Sequence, residues 1–352
     1  MSPAPARVDL RSDTLTRPTP AMLAAMTTAP VGDDVYDEDP TVQELERRTA
    51  ELLGHEAGLY CATGSLSNLL GVRALVEPGQ EVLCDSAAHI ARAEMGAHAA
   101  VFGVTMRTWP SEGGVTTLEQ VDELLSPDAG PYLVSTGAVA LENTHNFAGG
   151  TVQPLAHLRE VTERAAGYGI GRHLDGARLW NAHVASGVAM SEYGRLFDTV
   201  SVCYSKGMGA PVGSVLVGSA ETVARARVWR KRLGGGWRQA GVLAAACLHA
   251  LDHHLPDLAT DHENARLLAE VVAGRAPDAV DPAAVQTNIV ALRTGATTAR
   301  EVVAAAAEQG VVVGAVGPRT VRAVTHRDVS TEECRRAGEV LGRVLSSAAR
   351  AA

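Results

Sequence analysis

From residue 39 onward, short apolar strands alternate with helices of ten or more residues, and this alternation limits the chain to few architectures. Asp39-Pro40 spells an N-cap followed by proline at the first helical position; Val42, Leu45, Thr49, Leu52 and Leu53 then follow at helical spacing up to Gly54. Ala57–Cys61 reads as a buried strand, Thr63-Gly64-Ser65 as a turn, and Leu66, Leu69, Leu70 and Ala74 as the apolar positions of the next helix. Further strands are expected at Glu81–Asp85, Ala138–Leu141, Ile170–Asp175 and Thr199–Tyr204, with a helix at Leu155–Ala165. Strands joined by helical crossovers build a mostly parallel sheet covered on both faces, an α/β fold, and ligands gather beyond the carboxyl ends of such strands.

After an apolar helix near Gly241–Leu255 the order becomes helix, strand (Val285–Leu292), helix, strand (Val311–Val313), strand (Val321–Thr325), helix. The last helix opens on the capping-box spelling Ser330-Thr331-Glu332-Glu333. The expected division is an N-terminal arm (1–20), a large domain (21–252) and a small C-terminal α+β domain (253–352). The 31 basic and 40 acidic residues, a formal charge of −9, are spread along the chain, which argues against nucleic acid or an anionic membrane as the main partner. The opening Met-Ser-Pro-Ala-Pro-Ala-Arg lacks the apolar stretch of a signal peptide, so a cytoplasmic location is expected. Five scattered cysteines without CxxC spacing indicate neither a disulfide framework nor a zinc site, and no metal is expected.

Only two of the 31 basic residues are lysines, Lys206 and Lys231. Arginine replaces lysine wherever a positive charge suffices, but its guanidinium keeps its proton and cannot serve as an amine nucleophile. Lys206 directly follows the alternating strand Thr199–Ser205 and precedes the flexible turn Gly207-Met208-Gly209. It reads either as a surface lysine in a turn or as an amine poised to attack a carbonyl. Asp175 ends a strand 31 residues earlier, about one βαβ step, so amine and carboxylate can face the same crevice. That pairing suits pyridoxal phosphate, whose aldehyde is held by a lysine and whose pyridinium nitrogen is partnered by an acid; a helix-capping role for Asp175 is the alternative. Gly64 and Ser65 open a helix whose free N–H groups suit a phosphate, or simply form its cap. His89, just past the strand ending at Asp85, can stack on a flat ring or relay a proton, or serve structure alone. The glycines of Gly207–Gly209 and Gly167–Gly171 do not fit a dinucleotide fingerprint, and His253, His254 and His262 lack clean metal spacing.

Taken together, Asp9-Leu10-Arg11-Ser12-Asp13-Thr14, Pro30–Tyr36, Leu141-Glu142-Asn143-Thr144-His145-Asn146, Asp175-Gly176-Ala177-Arg178, Ser205-Lys206-Gly207, Gly234–Gln239 and Val321–His326 resemble the low-specificity L-threonine aldolases. These are enzymes of the aspartate-aminotransferase-like group, fold type I of the pyridoxal-phosphate enzymes. The resemblance implies a carbon–carbon lyase that cleaves L-threonine, L-allo-threonine and related β-hydroxy-α-amino acids to glycine and an aldehyde. It implies Lys206 as the Schiff-base lysine and Asp175 at the ring nitrogen. Gly64, Ser65 and, from a neighbouring subunit, Arg238 would lie at the phosphate, and His89 over the ring. Ser12, Arg178 and Arg322 would surround the substrate carboxylate, with Arg178 bordering the cofactor as well, and Tyr36 would approach across a dimer interface. Tyr132 stands near the place where better-known members carry a second histidine, and Lys231 near a subunit contact. A homodimer or a dimer of dimers is implied. The rival readings are another reaction on the same cofactor (β-elimination, racemisation or glycyl transfer to other aldehydes) and a non-catalytic pyridoxal-phosphate-binding protein.

Overall fold

The structure, a computed structural model, describes residues 7–350. In chain order the strands are β1 (Val8–Asp9), β2 (Ala57–Cys61), β3 (Glu81–Asp85), β4 (Thr105–Trp109), β5 (Thr136–Glu142), β6 (Gly171–Gly176), β7 (Thr199–Cys203), β8 (Ser214–Gly218), β9 (Ile289–Arg293), β10 (Val311–Val312), β11 (Gly314–Ala315) and β12 (Thr320–Val324). The main sheet has seven strands in the order β2-β8-β7-β6-β5-β3-β4. Its pairings from β7 to β4 are parallel, while β8 runs antiparallel to β7 and β2. Every residue of β3, β7 and β8 is buried, as expected for strands covered on both faces.

Local chemistry produces these elements as the residue types dictate. Asp39 accepts hydrogen bonds from the Thr41 and Val42 N–H groups, Pro40 opens the helix Pro40–Leu53, and Gly54 ends it at a φ of 74° that a side chain would strain. Strands β4 and β8 carry no separate pattern in the sequence: β4 is a largely exposed edge strand, and β8 follows closely on the Lys206 turn. The strand expected from Val285 begins at Ile289, because Thr287 and Asn288 turn their side chains to partners at Gly150 and Asp13.

A second core collects Val8, Leu10, the helix Leu258–Ala273, the three-stranded sheet β11-β12-β9 and the helix Thr331–Arg350. Strand β1 pairs with β10 and buries Val8 and Leu10, so the N-terminal arm is packed into the C-terminal unit; its first six residues lie outside the described residues. Each of these two side chains is worth about 1.5–3 kcal/mol of apolar burial.

Asp261, on the helix Leu258–Ala273, sits buried beneath the Lys206 turn, where a Cβ on Gly207 would lie 3.8 Å from its Oδ2, and that oxygen has no hydrogen-bond partner. Burial, reinforced by the negative charge of Asp13, pushes its carboxyl up to about 8. The folded chain thus holds a proton that the unfolded chain sheds above about pH 4. This contribution to stability is full below pH 4 and is lost as the pH rises towards 8. Asp261→Asn should therefore match wild type in urea denaturation at pH 4 and exceed it at pH 9 by about 2 kcal/mol or more. A difference independent of pH would refute the buried-acid explanation.

Candidate active site

The carboxyl ends of β6 and β7 lie side by side, with Asp175 paired in register with Ser201. Lys206 emerges from the turn after β7, where its backbone carbonyl accepts hydrogen bonds from Thr16 Oγ1 (2.9 Å) and from the Gly209 N–H (2.8 Å). Strand β2 brings a third component to this edge. Its last residue, Cys61, and the last residue of β7, Cys203, both pair with Ser214 of β8. The helix Gly64–Arg73 that follows β2 therefore begins beside the Lys206 turn, and a Cβ on Gly64 would approach Cys203 Sγ to 2.7 Å. Glycine is required by this contact. Thr63 caps the helix through the Leu66 N–H, which leaves the Gly64 and Ser65 N–H groups without intrahelical acceptors, a fit for a phosphate.

Asp175 is buried, and both its oxygens are engaged: Oδ1 accepts the Ala177 N–H (3.1 Å) and Oδ2 accepts Asn68 Nδ2 (2.9 Å). Its oxygen bonds the turn after the strand; it is not the cap of the helix Leu179–Ser186, whose N-cap is Arg178. His89 starts a short helix past β3, its N–H donating to Glu142 Oε2 (2.6 Å) and its Nδ1 lying 3.0 Å from Glu94 Oε1 and 4.0 Å from Asp175 Oδ2. His89, Glu94 and Asp175 are the one group among the described residues with three potential metal-ligand atoms within 4.8 Å. The Asn68 amide donates to both carboxylates, which makes this cluster a hydrogen-bonded anion pair.

The three groups expected around a substrate carboxylate differ in their surroundings. Arg178 is buried, with its Nε and Nη2 closed on Asp13 (2.8 and 2.7 Å) and its Nη1 on Asn146 (3.1 Å). That forked edge is taken by a carboxylate of the chain itself, and the pair holds Asp13 far below the usual carboxylate range despite its burial. Arg322 donates to the same Asn146 oxygen (2.7 Å), but its buried Nε has no partner. Burial, with Arg178 alongside, brings Arg322 down to about 10. A guanidinium with an open edge and no neutralising partner is a receptor for a carboxylate. Ser12 caps the turn Asp13–Leu15, its hydroxyl accepting from Thr14 N and Thr14 Oγ1, next to the Asp13–Arg178 pair.

Three expected residues lie elsewhere in the chain. Arg238 and Tyr36 are exposed on two loops joined by Asp34, whose N–H donates to the Arg238 carbonyl (3.1 Å) and whose carboxylate bonds Arg230 (2.5 Å). A Cβ on Gly235 of this segment would lie 2.9 Å from Leu66 Cδ2, in the helix that begins at Gly64. Tyr132, 94% exposed, precedes β5 and so lies at the amino ends of the strands, roughly 20 Å of strand from Glu142. The structure does not bring it to the site of its own chain. His254 and His262 serve as internal hydrogen-bond partners of Met208 and Asn181.

Asn68, Glu94, Glu142, Asn146 and Asp13 line the site, and no pattern in the sequence singles out any of them on its own. Glu142, Asn146 and Asp13 fall inside the motifs quoted for the resemblance; Asn68 and Glu94 carry no local signal.

The beta-eliminating lyase family profile matches residues 9–294. Low-specificity L-threonine aldolase 1 of Arabidopsis thaliana is 40% identical over 332 residues, 93% of this chain and 93% of that protein. The low specificity L-threonine aldolase of Escherichia coli K12 is 40% identical over 329 residues, 93% of this chain and 96% of its own. A solved threonine aldolase of Leishmania major superposes with a TM-score of 0.82 at 21% identity, covering 96% of this chain and 99% of that one.

Proposed function

The chain belongs to the low-specificity L-threonine aldolases of the beta-eliminating lyase family, and from that premise we infer that it is a carbon–carbon lyase cleaving L-threonine and related β-hydroxy-α-amino acids to glycine and an aldehyde. The observation that carries this reading is the convergence of Lys206, Asp175 and His89 at the carboxyl ends of β6 and β7, with Arg322 of β12 joined to Arg178 at that edge through Asn146 and one of its edges left open. The residues fit pyridoxal phosphate: the helix beginning at Gly64 offers free N–H groups for the phosphate, Asp175 an anion for the ring nitrogen, and Lys206 an amine for the aldehyde. When bound, that cofactor supplies an electron sink for the charge left on Cα as the Cα–Cβ bond breaks.

The chain's own groups do the rest. Arg322 receives the substrate carboxylate, with Ser12 and the Asp13–Arg178–Asn146 assembly fixing the wall beside it. Asn68 Nδ2 and the Ala177 N–H hold the Asp175 carboxylate in place, where it would partner a protonated ring nitrogen. His89 takes the β-hydroxyl proton as that oxygen becomes the aldehyde carbonyl, and a proton returned to Cα completes glycine.

A homodimer or dimer of dimers completes the site. Val31, Val35 and Tyr36 are exposed apolar side chains beside Arg238, a flank suited to a second copy, and Tyr132 reaches a substrate only in another copy's site. Five free, buried thiols suit the reducing cytoplasm.

Incubation with L-threonine and L-allo-threonine should release acetaldehyde and glycine in equal amounts; 2-oxobutyrate instead would establish elimination. Arg322→Gln should raise KM by about 10- to 100-fold, the worth of a charge-assisted contact, with a smaller change in kcat. An unchanged KM would remove Arg322 from the carboxylate site.

A further inference from the structure

Glu94 is an unusual side chain to find beneath this crevice. Its carboxylate is buried, it belongs to no strand end, and it receives three hydrogen bonds: from Asn68 Nδ2 (2.9 Å), His89 Nδ1 (3.0 Å) and His98 Nε2 (3.0 Å). The backbone turns sharply to deliver it. Met95 adopts a left-handed φ of 55° and Gly96 one of 70°, so that Glu94 points inward while the Met95 side chain is 96% exposed. A non-glycine residue is sterically disfavoured in that region, and such strain collects where a side chain must be held in one position.

A carboxylate only accepts, so all three neighbours donate. His89 therefore carries its proton on Nδ1 and keeps the lone pair on Nε2. Asn68, donating to Glu94 and Asp175 through its amide nitrogen, uses its oxygen to accept from His173 Nε2 (3.1 Å), and His173 Nδ1 then accepts from Thr199 Oγ1 (2.9 Å). The groups facing His89 are Glu94, Asp175 and Lys206, with Glu142 on its backbone N–H and His98 beyond Glu94.

We infer that Glu94 is a positioning residue for the cleavage reaction: it fixes the His89 tautomer so that Nε2 is the proton acceptor, and through Asn68 it ties His89 and the acid Asp175 into one hydrogen-bonded unit. The inference rests on the reading of His89 given above. Electrostatics agree in direction. Burial lowers the His89 imidazole, but the hydrogen bond to Glu94 and the charges of Asp175 and Glu94 outweigh it and leave it raised; burial opposes ionisation of Glu94, but the donors from His89, His98 and Asn68 hold it down to about 2.

His89 Nδ1 and the Asn68 amide share Glu94 Oε1, so the informative change is to a side chain of similar size that accepts nothing: in Glu94→Leu, Nδ1 loses its acceptor and the proton returns to Nε2, the fault that a missing acceptor causes in a serine-protease triad. The expected result in the cofactor-loaded enzyme is a kcat lower by about 100-fold, KM within about threefold, and the acid limb of kcat/KM lower by about one pH unit. Glu94→Leu combined with His89→Asn should be no slower than His89→Asn alone. The His89 ring nitrogens, followed by 15N NMR and assigned with His89→Asn, should show the proton moving from Nδ1 to Nε2 in Glu94→Leu. That readout needs no turnover, so a wild type that fails to cleave threonine sinks the functional reading while the tautomer shift still decides the role of Glu94. Wild-type kcat in Glu94→Leu, additive losses in the double variant, or an unmoved proton would each overturn the inference. If Glu94→Leu does not fold, Glu94→Asp decides: it should retain the wild-type acid limb, and a folded Asp variant that loses it refutes the assignment.

Discussion

Lys206→Ala should lose threonine cleavage by at least about 10³-fold, equivalent to about 4 kcal/mol of barrier, together with the visible absorbance of lysine-bound pyridoxal phosphate. Composition and geometry lead to the same residue. Lys206 is one of two lysines in a chain with 29 arginines, and it leaves β7 beside Asp175 and the start of the Gly64–Arg73 helix. Arginine at this place would keep the charge and lose the nucleophile, so Lys206→Arg should be equally inactive. Borohydride trapping and peptide mapping of wild type should place the pyridoxyl group on Lys206; label at Lys231, exposed on the helix Ala220–Arg232, would dismantle the site described here.

Asp175→Asn should reduce kcat by about 10²- to 10³-fold while the protein still folds and binds the cofactor. The change replaces an anion by a neutral group of the same shape at the point where the ring nitrogen needs a negative partner. Two donors, Asn68 Nδ2 and the Ala177 N–H, hold this carboxylate in place, 4.0 Å from His89 Nδ1. The variant removes one of the charges that raise His89, so the acid limb of its pH profile should move to lower pH as well. Parallel absorbance titrations and pH–rate profiles of wild type and variant would check both effects. A variant with wild-type kcat would show that ring-nitrogen charge does not limit the reaction.

Much of this site was legible residue by residue. Lys206 and Asp175 follow apolar strands one crossover apart, and Gly64-Ser65 opens a helix after a strand; each is a local pattern with a fixed consequence in a parallel sheet. The fold class followed from the same alternation, and the similarity to threonine aldolase structures agrees with it. Arg322 was legible only through the resemblance, since an arginine in a small-domain strand has no distinguishing neighbourhood. Tyr132 shows the opposite limit. It stands ten residues before Glu142 in sequence, yet β5 runs between them and carries the two to opposite ends of the sheet.

The amino-acid sequence by itself determined that the sheet is mostly parallel and that an amine and an acid stand at neighbouring strand ends, because periodicity, caps and glycine turns act over a few residues. Only the tertiary structure decided which arginine is left open and which carboxylate steadies His89. Asp13 and Arg178 meet across 165 residues, Asn68 and Asp175 across 107, and Arg322 and Asn146 across 176. Whether a charge is matched or orphaned depends on what else is buried with it, and desolvation makes that difference large only once the chain has closed around the group.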